Sequence, residues 1–579
     1  MIVLFCNWII ICFIFFSIGN AVTNYSNHYF KTDTQYGFFD TFFIGLCITG
    51  TFLNIWSIFF PTNFLSFISL LFLSLTYWGF NFNRLKSTTK SLISNPFIHY
   101  KYLIPFAFIL IFVVLYALLP PIFYDTYLYH IPSIKWNEQF RVVPGLANFH
   151  SRFGYNSSIL LLGTAFSFES IFKQLIFSIN SLSVFIFLIW LMKNMITKRA
   201  VFAIMALIVY YHFFDFYSLS ISSLSTDILP NLLFAYLILR IVFNNFEVKD
   251  LSLVFWIIPL FCVTLKISTC SIILLCFLAL TSILKNKSYK YLFFLILISL
   301  VVLIPWITRN LILTGYLAYP TQVLDIFNFD WEVPIQNVIN DQKWIYSWGR
   351  IPGMSHNEVL SMPLNEWFSK WWEVKSPFMK QLFNISYFSP VIFLVLINST
   401  KYNKFRVFLC WIIFLAGFLM WFFTAPDYRF AYGIIILSIV FPILLIDDIL
   451  KYIQDKLIKY IHIKYFNYLN TGVKVIVFIY LFIYGVNFIK IGAGEIKKYV
   501  PEKSFTSLIY IPYSFENVKN KQNVTFNEHQ INGITTYTPS EGNDQCFDKF
   551  PCSPYYFKNI ELRGSTLKNG FRVKKPKEL

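Results

Sequence analysis

Residues 122–158 read IFYDTYLYHIPSIKWNEQFRVVPGLANFHSRFGYNSS and place Asp125, His130, Lys135, Glu138, Arg141, His150 and Arg152 in one connection. Apolar runs flank it on both sides, so this density of charge stands out. Asp125 follows the Pro120-Pro121 pair at a helix exit, and in a helical register it shares a face with Tyr129. A carboxylate at the lip of a helix bundle could take a proton from an acceptor hydroxyl or amine in group transfer, with His130 as an orienting partner. The plainer reading has Asp125 capping a short helix and His130 filling an interfacial slot beside tyrosines.

Basic residues at the ends of other apolar runs extend the pattern. Lys266 interrupts FCVTLKISTCSIILL, Arg309 lies in PWITRNLILTG and Arg429 in TAPDYRFAYG. Charges so close to a bilayer core are costly and need a counter-charge. Together with Lys135 and Arg152 they are candidate binders of a phosphate or pyrophosphate, which a guanidinium holds with two parallel hydrogen bonds. The alternative is internal pairing, Arg429 with Asp427 or Arg152 with Glu138. Asp227, in STDILP with Pro230 behind it, reads as the start of a helix. His212 and Asp215 read as part of an interfacial belt. No spacing of His and Cys suggests zinc, and no phosphate-loop, HExxH or GxSxG motif occurs.

The elements that must position these groups are membrane helices. The chain is 57% hydrophobic and 13% charged over 579 residues, with a mean hydropathy of +0.59, which excludes an ordinary soluble domain. Apolar runs near the roughly 20 residues needed to cross a bilayer predict spans at 2–18, 38–60, 62–80, 102–120, 174–192, 200–216 and 228–243. Further spans follow at 251–265, 268–284, 291–308, 386–399, 407–424, 429–446 and 473–490. The fold class is an all-α polytopic integral membrane protein with about 12–14 spans. The net charge of +18 does not point to nucleic acid, because the basic residues cluster in short connections between spans. Lys and Arg at 84–101, 193–199, 285–290, 401–406 and 451–464 fall on one face under strict alternation, which marks it as cytoplasmic. The other face then receives polar external loops at 121–173 and 309–385 and a tail from 491 to 579. The transmembrane bundle is thus 1–490, its first helix retained because no basic residue precedes the apolar run. In the tail, Cys546 and Cys552 of CFDKFPC would lie in an oxidising compartment and are a candidate disulfide.

These features resemble the GT-C class of membrane glycosyltransferases, which take sugars from polyprenyl-phosphate or polyprenyl-pyrophosphate carriers. The resemblance implies a helix bundle with an acidic residue in an early external loop, and Asp125 stands where that class places its catalytic acid. Lys266, beside two short adjacent helices, looks like a donor-side lysine of the class. Two features depart from it: the acidic loop follows the fourth span instead of the first, and YDTYLYH carries one acid instead of an Asp-Glu pair. The motifs YHIPSIKWNEQFRVVPGLANFHSRFGYNSS, TRNLILTGYLAYP, PDYRFAYG, CFDKFPCSPYY and ELRG also look like a family of bacterial multi-spanning proteins of unassigned activity, over nearly the whole chain.

The resulting expectation is a GT-C-like transferase of a bacterial inner membrane, working with a lipid-linked sugar donor and membrane lipids in cell-surface glycan assembly. Asp125 would be the base or a metal ligand, and the five cations would bind the donor phosphate. The cofactor is left open, with a divalent metal one option although no metal-ligand set is assigned. A non-catalytic transporter or flippase for a lipid-linked glycan is the rival, and a polysaccharide polymerase or ligase shares the layout.

Overall fold

The computed structural model describes residues 1–32, 34–93, 100–247, 252–322, 325–457, 463–499, 509–510, 524–540 and 542–574. Nine helices among them are long and apolar enough to cross a membrane. These are Ile2–Phe30, Phe38–Phe59, Ile179–Thr197, Ala200–Ser220, Ile267–Lys285, Tyr289–Thr314, Lys404–Phe423, Tyr428–Leu457 and Tyr465–Lys498. Pro377–Tyr387 and Ser389–Ser399 form a further pair bent by 56°, and Phe64–Phe80, Leu103–Ala117, Ile228–Phe243 and Val254–Leu265 are shorter apolar helices. Every expected span therefore falls on an apolar helix, but several are too short to cross a bilayer unaided.

Several helix ends differ from the expected boundaries, the first helix running to Phe30 instead of 18. Arg309 lies inside Tyr289–Thr314 and not in a loop, because the helix continues until Gly315 takes the left-handed φ of +91° that closes it. The last helix runs from Ile463 to Tyr499, past the expected bundle edge at 490. The first two helices approach closely: a Cβ on Gly19 or Gly45 would collide with the carbonyl oxygen of Thr41 or Phe15. Such close approach is what small residues permit between apolar helices.

The segment 121–173 folds as a chain of short turns. A π-helical turn covers Thr126–His130, an α-helix Ile131–Gln139, and further short helices Leu146–Phe149 and Ser158–Ala165. The connection after Gly315 carries the helices Ile335–Arg350, His356–Ser361, Leu364–Glu373 and Pro377–Tyr387.

The tail departs from an all-α description. β1 (Phe526–Ile531) and β2 (Ile534–Pro539) form an antiparallel hairpin, and β3 (Ile560–Leu562) pairs with β4 (Phe571–Val573). Asn532 and Gly533, both at positive φ, make the two-residue turn that matches strand twist. Cys546 and Cys552 are joined by a disulfide, with Cα atoms 5.8 Å apart. The tail seats on the 121–173 segment: the Phe547 amide donates to the Tyr127 carbonyl at 3.1 Å, and the Phe571 amide to that of Pro144 at 3.0 Å. Leu128, Trp136, Phe149, Phe153, Ile560 and Phe571 form a second hydrophobic core between the two.

Candidate functional site

Asp125 sits just before the π-turn. Its carboxylate lies 3.2 Å from Nη1 of Arg429 and 3.5 Å from Nη1 of Arg152. Arg429 in turn pairs through Nε with Asp227 at 3.2 Å, and Lys266 holds the other oxygen of Asp227. The result is a continuous chain of charge, Arg152–Asp125–Arg429–Asp227–Lys266, drawn from four separate parts of the sequence.

Local folding explains each position. The helix Val254–Leu265 stops at Lys266, whose backbone turns extended before the chain resumes as a 3-10 run, Ile267–Leu275. That break carries Lys266 out of a helix that is buried along its length, and its ammonium reaches Asp227. Asp427 caps the helix Tyr428–Ile435 by accepting from the Arg429 amide at 2.9 Å. Its carboxylate is thereby committed to backbone, and the Arg429 guanidinium reaches Asp125 and Asp227 instead. The guanidinium carbon stands over the rings of Phe123 at 5.1 Å and Phe430 at 4.9 Å, and the Lys266 ammonium over Phe430 at 4.0 Å.

Exposure is uneven along this chain. The side chain of Asp227 is 5% exposed, while Arg429 and Arg152 are 27% and 36% exposed. The cations are therefore the groups an incoming anion would meet. Three cations and two carboxylates are ion-paired along this chain, with the carboxylates of Asp341 near Arg152 and of Asp427 near Arg429 beside them.

His130 is fully buried beside this cluster, with its ring against Tyr129 at 4.4 Å. Neither ring nitrogen has a hydrogen-bond partner among the described residues, so no hydrogen bond joins it to Asp125. Burial pulls its pKa down to about 4, against the opposing pull of Asp125 and Asp227, and the ring is neutral at neutral pH. His150, also buried, is lowered to about 3 by desolvation and then Arg152, and its Nδ1 accepts from the Arg152 amide at 3.3 Å.

Two expected cations lie elsewhere. Lys135 pairs with Glu169. Arg309 is 3% exposed and donates to Ser57 Oγ at 2.6 Å, Asn156 Oδ1 at 3.0 Å and Asn137 Oδ1 at 3.3 Å. That arrangement ties two helices to the 121–173 segment and leaves Arg309 little access to a ligand. Glu138 accepts from Ser167 Oγ at 2.7 Å, and Arg152 turns to Asp125. Both internal pairs considered from sequence are thus replaced by longer-range ones.

Two carboxylates belong to the site without a sequence motif to mark them. Asp227 precedes its helix but makes no side-chain cap; its oxygens go to Lys266 and Arg429. The signal that could have found it is arithmetic: Lys266 and Arg429 at one end of a bundle demand a buried acid. Asp341, on the helix Ile335–Arg350, accepts from Tyr155 Oη at 2.9 Å and Ser151 Oγ at 3.0 Å, beside Arg152. Burial pushes its carboxyl above the usual range, outweighing those bonds. Among the described residues no group of three or more His, Cys, Asp or Glu is arranged to hold a metal ion.

The model of one family, described as Domain of unknown function (DUF8201), matches residues 1–436. That span contains every residue of the charged chain and excludes the tail strands. No curated protein and no solved structure matches the chain.

Proposed function

We propose that this chain, which belongs to the DUF8201 family, is a GT-C-like membrane glycosyltransferase that takes a sugar from a polyprenyl-linked donor during cell-envelope glycan assembly. The reading places the Asp125 cluster on the external side of a bacterial plasma membrane. It rests on one observation above all: Asp125 and Arg152 of one connection meet the distant Lys266 and Arg429 in a single ion-paired chain through Asp227.

In this reading a donor phosphate displaces carboxylate contacts at Arg152 and Arg429, the more exposed members. Lys266 and Asp227 keep the Arg429 guanidinium in place. The acceptor hydroxyl oxygen attacks the anomeric carbon as Asp125 takes its proton, and the bond from that carbon to the phosphate oxygen breaks. The leaving polyprenyl phosphate keeps the electron pair and is held by the cations. His130 stays neutral and shields the acid from water.

The test is complementation of a gene deletion, reading surface glycan and lipid-linked intermediates. Asp125→Asn is expected to reach the membrane in normal amount, lose about 100-fold or more of the transfer, and leave the donor to accumulate. Normal glycan from that variant would reject the role. Accumulation of lipid-linked glycan confined to the cytoplasmic leaflet would indicate a flippase instead.

A further inference from the structure

At the opposite end of the bundle lies a second concentration of cations around an open cleft. Four segments connect the two ends. Tyr217, closing the helix Ala200–Tyr217, directs its hydroxyl to the Arg429 carbonyl at 3.4 Å, while Arg199 precedes the first residue of that helix. Eighteen residues of helix span roughly 27 Å. Asp227 and Phe246 bracket the helix Ile228–Phe243, Arg406 lies in the first turn of Lys404–Phe423 with Asp427 just past its other end, and Arg429 and Lys451 lie toward opposite ends of Tyr428–Leu457.

The cleft encloses about 620 Å³ and is lined by Arg199, Lys401, Arg406 and Lys451, with Tyr402 and the carboxylate Glu247. Arg199 and Lys451 share the buried acid Asp447, at 2.8 and 3.0 Å, and Asp448 places a second carboxylate near Lys451. The Tyr402 hydroxyl sits among them, 2.5 Å from Asp447, and receives hydrogen bonds from Arg199 at 2.8 Å and Lys451 at 2.9 Å. Lys401 pairs with Asp455, but both side chains are more than 60% exposed, and such a pair exchanges readily with another anion. Arg406 donates to the Phe246 carbonyl.

Two long helices also begin here. Arg199 and Asn403, which line the cleft, are the residues immediately preceding Ala200–Tyr217 and Lys404–Phe423. Their positive dipole ends add to the side-chain charge. The volume lies within the ordinary range for small-molecule pockets and exceeds what an inorganic anion needs. We propose that this cleft binds a phosphate ester, with Lys401 and Arg406 as its outer clamp and the Arg199–Asp447–Lys451 set as its floor. A phospholipid headgroup and a soluble phosphate ester share the required chemistry.

The experiment is calorimetric titration of the full chain in non-ionic detergent with three probes: dihexanoyl phosphatidylglycerol, dihexanoyl phosphatidylcholine and glycerol 1-phosphate. Lys401→Gln alone, which removes only an exposed group, and Lys401→Gln/Arg406→Gln are compared with Lys285→Gln/Lys287→Gln from another basic connection. The expected result is binding of phosphatidylglycerol that weakens at least threefold in the single and tenfold in the double variant, with no change in the control. Binding of the lipid but not of glycerol phosphate assigns the leaflet as source, and equal binding of both assigns a soluble ester. Binding unaffected by either cleft variant, phosphatidylcholine bound as tightly as phosphatidylglycerol, or no binding of any probe would overturn the proposal.

Discussion

The Asp125 carboxylate and the Arg429 guanidinium lie 3.2 Å apart although 304 residues separate them in the chain. A contact of that sequence separation, made between partly buried charges, requires the two chain segments to be positioned by the intervening helices. It makes Arg429 the hinge of the site, since the same guanidinium also reaches Asp227.

Removing Asp227 should therefore cost more than removing Asp125. Asp227→Asn leaves Lys266 and Arg429 facing each other without their buried acid, and breaking such a pair costs about 3–5 kcal/mol. Thermal melting in detergent should show a clear fall. Adding Lys266→Gln should return part of it, and strictly additive effects in that double-mutant cycle would contradict the coupling.

Arg309 predicts a different outcome. Arg309→Met fills the space but leaves Ser57, Asn137 and Asn156 without their donor, a loss of about 2–4 kcal/mol in stability. Arg309→Lys should recover less than half, because one ammonium cannot reproduce the fork. Transfer per folded molecule should be unchanged in both, which separates Arg309 from the Asp125 cluster.

His130 makes stability depend on pH. Its folded pKa of about 4 lies below the unfolded value near 6.5, so the unfolded chain binds the proton more readily. Its contribution is full above pH 6.5 and falls as pH drops towards 4, by about 3 kcal/mol in total. His150 has the same sign, whereas Glu138 and Asp341, raised by burial, favour the fold at low pH. The difference in melting temperature between wild type and His130→Phe, followed from pH 7.5 to 5, isolates the His130 term. A constant difference across that range would count against it.

Glu138 gives the converse. Burial and then the neighbouring Glu169 hold its carboxyl well above the usual range, so ionising it opposes folding as pH rises past about 4.5. Glu138→Gln keeps the Ser167 contact without the charge and should stabilise the chain by about 1–2 kcal/mol at pH 8, with little effect at pH 5. Equal melting of variant and wild type at pH 8 would refute this.

Much of the helical frame is legible in the sequence because a lipid-facing or buried helix must be a long apolar run, and such runs need no partner to be seen. Lys266 and Arg429 stand out for the same reason, as charges interrupting those runs. Asp227 does not, because its local context imitates a helix cap and its real partners are set by tertiary packing. Arg309 is misplaced by a few residues of helix, which turns an apparent loop cation into a buried strut. In the tail, alternation around Asn532-Gly533 carries a hairpin signal that general polarity obscures.

Phe547 rests on Tyr127, two positions from Asp125, with ring centroids 4.4 Å apart, yet it lies beyond the family's span at 436. The charged chain and this aromatic contact beside it thus draw on stretches of the polypeptide on either side of residue 436. Trimming Phe547 to Ala would loosen the ring packing on Tyr127 while leaving every ion pair of the charged chain in place.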